Sequence, residues 1–121
     1  MALHNANGSG SKSGTVCDNQ SGDAVCFGNL LASYYCYVQP TTVGNGGTMT
    51  LTLSWNDGVA DRSFTSAALD LTMTSQLVSG IVPVLIGSYD GKEKLSYQLT
   101  WTNAVVGANG WLSAVCSIKR N

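Results

Sequence analysis

Charge is what this chain has least of. Only 11% of its 121 residues are Asp, Glu, Lys or Arg, and they nearly cancel to a net −1. Soluble domains usually carry about a quarter, so a basic field for nucleic acid and an acidic field for cationic partners are both excluded. Histidine occurs once, as His4, and there is no Cys-x-x-Cys pair. Metal chelation therefore lacks a ligand set, and Ser/His or Cys/His nucleophilic schemes lack a placed base. No run approaches the ~18 apolar residues of a membrane helix. The longest apolar stretch, Ile81 to Ile86, is strand-sized and contains Pro83. The opening "MALHNANGSGSKSG" has no hydrophobic segment and does not read as a secretory signal. The expectation is a protein made in the cytoplasm that reaches the outside another way, or one whose signal was trimmed and Met1 added. Polarity resides in Ser, Thr, Asn, Gln and Gly, the composition of extracellular, fibrous or particle-forming β proteins.

What the chain has instead is alternation. In "TMTLTLSWNDG", residues 48–58, Met49, Leu51, Leu53 and Trp55 fall on one side of an extended backbone and Thr48, Thr50, Thr52 and Ser54 on the other. Strict period two marks a half-buried strand. Strand patterns recur in "LLASYYCYV" (30–38), in "RSFTS" (62–66), in "LDLTMT" (69–74) with Leu69, Leu71 and Met73 inward, in "IVPVLIGSY" (81–89), in "LSYQLTWT" (95–102) and in "WLSAVCSIK" (111–119). Pro83 cannot donate a ladder bond, which places its strand at an edge or a bulge. The Asp90-Gly91 pair predicts a tight hairpin into the strand that follows. About seven strands with no helix between them predict an all-β, single-domain antiparallel β-sandwich of jelly-roll type. A domain of this length buries about two thirds of its unfolded surface unaided. Residues 1–24 carry Gly8, Gly10, Gly14 and Gly22 among Ser and Asn with almost nothing apolar to bury. They predict a flexible arm, and 25–121 the sandwich domain.

The four cysteines, Cys17, Cys26, Cys36 and Cys116, are even in number in a chain of extracellular composition and predict two disulfides. Three pairings are open. Cys17 and Cys26 enclose a short polar loop, and a Cys36–Cys116 bridge would join the first and last strands of the sandwich. Among the acids, Asp18 and Asp23 lie in that loop, Asp57 and Asp90 in turns and Asp70 on an outer strand face, while Asp61 and Glu93 each stand beside a basic residue. No spacing marks two of them as a hydrolytic pair, and the expectation is a protein that is not an enzyme and needs no cofactor. Trp55 and Trp101 fall on inward faces. Trp111, with Tyr89 and Asn109 in nearby loops, is the aromatic-polar set that a sugar-binding platform would use. The hydroxyl row Thr48, Thr50, Thr52 and Ser54 reads as an assembly face, because uncharged semi-polar surface is cheap to desolvate and charge depletion marks interface cores.

The segments "SYYCYVQPTTVGNGGTMTLTLSWNDGVADRSFTSAALDLT", "SGIVPVLIGS" and "LSYQLTWTNAVVGANGWLSAVCSI" resemble, in their order, a jelly-roll type of domain in tailed-phage virion proteins. Gly47, Thr48, Trp55, Asp57, Leu69, Leu71 and Thr72 carry the likeness over about three quarters of the chain. The last strand departs from that pattern, with Trp111 and Cys116 where a Tyr-x-Leu-x-Val run belongs, and the cysteines have no counterpart in it. A small RNA-phage coat protein also fits the size and composition. That fold ends in helices, for which the residues after Trp101 are too few and too strand-like. The resemblance implies a virion structural protein, a phage coat, decoration or fibre module whose partners are itself and other virion proteins. It would be made in the host cytoplasm and carried in the particle, with no membrane and no nucleic acid as partner. The rival expectation is a secreted carbohydrate-binding β-sandwich that holds a glycan through Trp111, Tyr89 and Asn109.

Overall fold

The computed structural model describes residues 2–4, 7–18, 26–39, 44–73, 76–87, 93–106 and 113–120. Among them are nine strands and no helix: β1 (Ala2–His4), β2 (Gly8–Asp18), β3 (Gly28–Val38), β4 (Gly46–Asn56), β5 (Asp61–Thr65), β6 (Leu69–Asp70), β7 (Val78–Ile86), β8 (Lys94–Val105) and β9 (Ser113–Arg120). They form two antiparallel sheets. One has the order β1-β9-β3-β7, the other β2-β8-β4-β5, with β6 also on β4.

Period-two alternation sets which side of each strand is buried. Met49, Leu51 and Leu53 of β4 are buried beside Leu99 and Tyr97 of β8, in the register Leu51↔Leu99 and Leu53↔Tyr97. In the first sheet Ala32, Tyr34, Cys36 and Val38 of β3 are buried with Val78, Val82, Val84 and Ile86 of β7 and Ala114 and Cys116 of β9. These residues make one core to which both sheets contribute. Pro83 lies in β7, the edge of its sheet, the position at which sheets accept a residue without an N–H.

Residues 8–18, assigned to a flexible arm by their composition, are instead an 11-residue strand on the edge of the second sheet. Only Val16 and Cys17 of this strand are apolar and packed on the core, and over the rest of its length its neighbour supplies the apolar cover. A Cβ on Gly10 would stand 2.9 Å from the Trp101 ring, and one on Gly14 would stand 2.6 Å from the Tyr97 ring. The two glycines leave room for aromatic rings of β8 to lie across β2, as aromatics cover glycines in other sheets. The Trp101 indole N–H also donates to the Asn7 carbonyl at 3.3 Å. Ala2–His4 pairs with β9, so the segment before residue 18 touches both sheets.

Two other expectations are corrected. The strand expected over 69–74 stops at Asp70, and Met73 is exposed at 46% where an inward position was expected. Asp70 turns the chain, its carboxylate accepting from the Thr72 N–H at 2.9 Å and the Thr72 hydroxyl at 2.7 Å. The strands flanking Asp90-Gly91 do not form a hairpin either: β7 belongs to the first sheet and β8 to the second. Residues 88–92 themselves lie outside the described residues.

The cysteines form two bridges, Cys17–Cys26 and Cys36–Cys116, with Cα separations of 5.7 and 4.2 Å. Cys36 and Cys116 are directly opposed in the β3–β9 register, so pairing of the first long core strand with the last one puts the two thiols together.

Candidate functional site

A cleft of about 600 Å³ opens where β4 turns into β5, and its lining includes Trp55, Asn56, Asp61 and Arg62 from that hairpin. Asp18 ends β2, Lys94 begins β8, and Glu93 and Gly87 stand just outside β8 and β7. Ser54, Ser63 and Ser96 complete it.

The hairpin turn is locked by its own polar side chains. Asp57 Oδ1 accepts from the Val59 N–H at 2.9 Å and the Ala60 N–H at 2.8 Å, while Oδ2 accepts from Arg62 Nε at 2.7 Å. Asn56 Oδ1 accepts from the Gly58 N–H at 2.8 Å, and Asn56 Nδ2 donates to Asp61 Oδ1 at 3.0 Å. From the other sheet, the Gly87 N–H donates to the Asn56 carbonyl at 3.1 Å. The Ala60 N–H above all, then Arg62 and the Val59 N–H, holds the Asp57 carboxyl at about 2, below its ordinary 3.8. Because the folded pKa is the lower one, the contribution of Asp57 to stability is fully present above the unfolded value near 3.8. It is lost as pH falls through about 2. A carbon-detected NMR titration is expected to place the Asp57 midpoint near 2; a midpoint at 3.8 refutes the closed turn.

The two sheets turn contrasting faces to solvent, and the hydroxyl face of the second runs into the cleft at Ser54, Ser63 and Ser96. On the second sheet the registers align hydroxyl and amide side chains in ranks across the strands: Ser11–Thr100–Thr50, then Ser13–Gln98–Thr52–Thr65, then Thr15–Ser96–Ser54–Ser63. No charged and no aromatic residue stands in these ranks, and Thr52 and Thr65 hydroxyls are hydrogen-bonded at 3.1 Å. The row Thr48, Thr50, Thr52 and Ser54 is thus one column of a sheet-wide polar lattice. On the first sheet large apolar side chains are exposed, set among Asn29, Ser33, Ser79 and Lys119. Leu31 is exposed at 47%, Tyr35 at 44%, Ile81 at 64% and Leu85 at 50%, with Pro83 among them. The registers pair Leu31 with Pro83 and place Ile81 and Leu85 on either side of that pair, opposite Ser33 and Asn29, and Tyr35 and Tyr37 stack with centroids 6.0 Å apart.

Trp111, Tyr89 and Asn109, the sugar-platform candidates, lie outside the described residues. Trp55 and Trp101 pack against the core but are only half-buried, and Trp55 also lines the cleft. Asp61 and Glu93, which spacing alone left unconnected, are lining residues of the same cleft. The approach of Asp18 to Lys94 was not readable from the sequence, because it depends on β2 being a strand. Comparison of the chain with protein-family models, with curated proteins and with solved structures finds no match.

Proposed function

We propose that the chain is a non-enzymatic structural protein, a jelly-roll β-sandwich that self-associates through a sheet face and serves as a coat, decoration or fibre module of a virion. The strand order supports the fold. If β5 and β6, both on β4, count as one broken strand, eight strands divide into two sheets of four, with the chain passing from sheet to sheet at every connection except the one from β4 to that broken strand. That is the plan of the eight-stranded double Greek key used in viral capsids.

The observation that carries self-association is the apolar outer face of the first sheet. Taking side-chain areas of about 150–250 Å², the exposed parts of Leu31, Tyr35, Ile81 and Leu85 present roughly 400 Å². Monomers rarely expose continuous apolar patches beyond a few hundred Å². Pro83 in the middle of the β7 edge interrupts any ladder with a further strand, which favours face-to-face contact over edge pairing.

Light-scattering mass is expected to show an oligomer for the parent chain and a monomer for Leu31→Lys/Ile81→Lys. Burying two unpaired lysines would weaken association by about 100-fold or more. Thr50→Lys/Thr52→Lys, on the hydroxyl lattice, is expected to assemble as the parent does. A monomeric parent overturns the reading, and loss of assembly only in the threonine variant moves the interface to the other sheet.

A further inference from the structure

We propose that the cleft at the β4–β5 turn binds a neutral saccharide. In a protein with 13 charged residues, five of them, Asp18, Asp61, Glu93, Arg62 and Lys94, line this one cleft, together with Ser54, Ser63 and Ser96 from the hydroxyl face. That concentration marks the cleft as the place where the chain offers strong hydrogen-bonding groups. With Asp57 bonded to Arg62, four carboxylates stand against two cations, a balance that disfavours a phosphate, and spermine is the probe that separates a cationic ligand from a neutral one. What the lining offers is acceptors and donors side by side, the arrangement that sugar hydroxyls, each both donor and acceptor, can satisfy.

Trp55 adds the apolar element. It rests against the core, lines the cleft, and its indole N–H makes no hydrogen bond to another described residue. Stacking a sugar's C–H face on an indole while its rim hydroxyls meet carboxylates needs one aromatic among polar groups, and the cleft has that composition. Its volume of about 600 Å³ is that of a small-molecule site. The hydrogen bonds of Asn56 and Asp57 hold Asp61 and Arg62 in place before any ligand arrives, so little ordering is needed on binding. Cleft and apolar face lie apart: the lining is drawn from the second sheet with only Gly87 from the first, so a self-associated module would keep the cleft open. Many copies in one particle would then convert weak single-site binding into avidity. Binding itself does not rest on self-association.

The test is calorimetric titration of the full chain, together with tryptophan fluorescence. The probes are glucose, galactose, mannose, N-acetylglucosamine and their disaccharides, with inorganic phosphate and spermine as anionic and cationic probes, each up to about 10 mM. At least one neutral sugar is expected to bind and to perturb tryptophan emission. Asp61→Ala, at an exposed position, is expected to weaken it tenfold or more with the fold retained. Trp55→Phe should remove the fluorescence change while keeping the core filled. Thr100→Ala, on the hydroxyl lattice, should bind as the parent. No binding by any sugar, binding of phosphate or spermine alone, or unaltered sugar affinity in both Asp61→Ala and Trp55→Phe each overturns the proposal, whatever the mass in solution.

Discussion

Replacing Cys36 and Cys116 together by alanine is expected to lower the unfolding free energy by about 4–5 kcal/mol, against about 2–3 for Cys17 and Cys26. The difference comes from loop length. The first bridge spans a sequence separation of 80 and the second one of 9, and in the chain-entropy description the longer loop restricts the unfolded chain more. Both cysteines of the long bridge are buried, at 2% and 0% exposure, so alanine also removes sulfur from the core. For a domain of this size the loss corresponds to a fall in melting temperature on the order of 15 °C. Denaturant and thermal unfolding of the two double variants would check it. Equal losses for the two pairs would show that the bridges act through native packing and not through the unfolded chain.

Gly87→Ala is expected to cost about 3 kcal/mol, the upper end for overpacking. A Cβ there would fall on the carbonyl of Asp57 and the nitrogen of Gly58, which are backbone atoms that no rotamer change can move aside. The position matters doubly because the Gly87 N–H holds the Asn56 carbonyl, tying the end of β7 in one sheet to the end of β4 in the other. Gly80→Ala is the comparison: its Cβ would meet the Tyr34 ring, a side chain with some freedom to yield. Chemical denaturation should rank Gly87→Ala well below Gly80→Ala. A Gly87 variant within about 0.5 kcal/mol of the parent would mean that the two turns are not in contact.

Strand existence and inward faces were legible in the sequence because period two is a local property. Met49, Leu51 and Leu53 alternate with hydroxyls whatever lies beside them, and all three are buried. Pro83 declared an edge or a bulge, of which the structure has the edge, and the even cysteine count declared bridges, for equally local reasons. Partnership is not local, and there the tertiary structure decided. Residues 8–15 have no apolar side chain but the stem of Lys12, and only Val16 and Cys17 follow; the rings of Tyr97 and Trp101, brought across Gly14 and Gly10, help make a strand of them. The same pairing sets Asp18 beside Lys94 and so completes a cleft of which the sequence showed only the Trp55–Arg62 hairpin. The hydroxyl row of β4 was visible as a row, but its extension across the sheet depends on registers that no single strand contains. The apolar outer face of the other sheet was hidden for a further reason. A strand such as β3, with Leu31 and Tyr35 on one side and Ala32, Tyr34 and Cys36 on the other, reads as covered on both faces. Only the sheet order reveals which of the two is left to solvent.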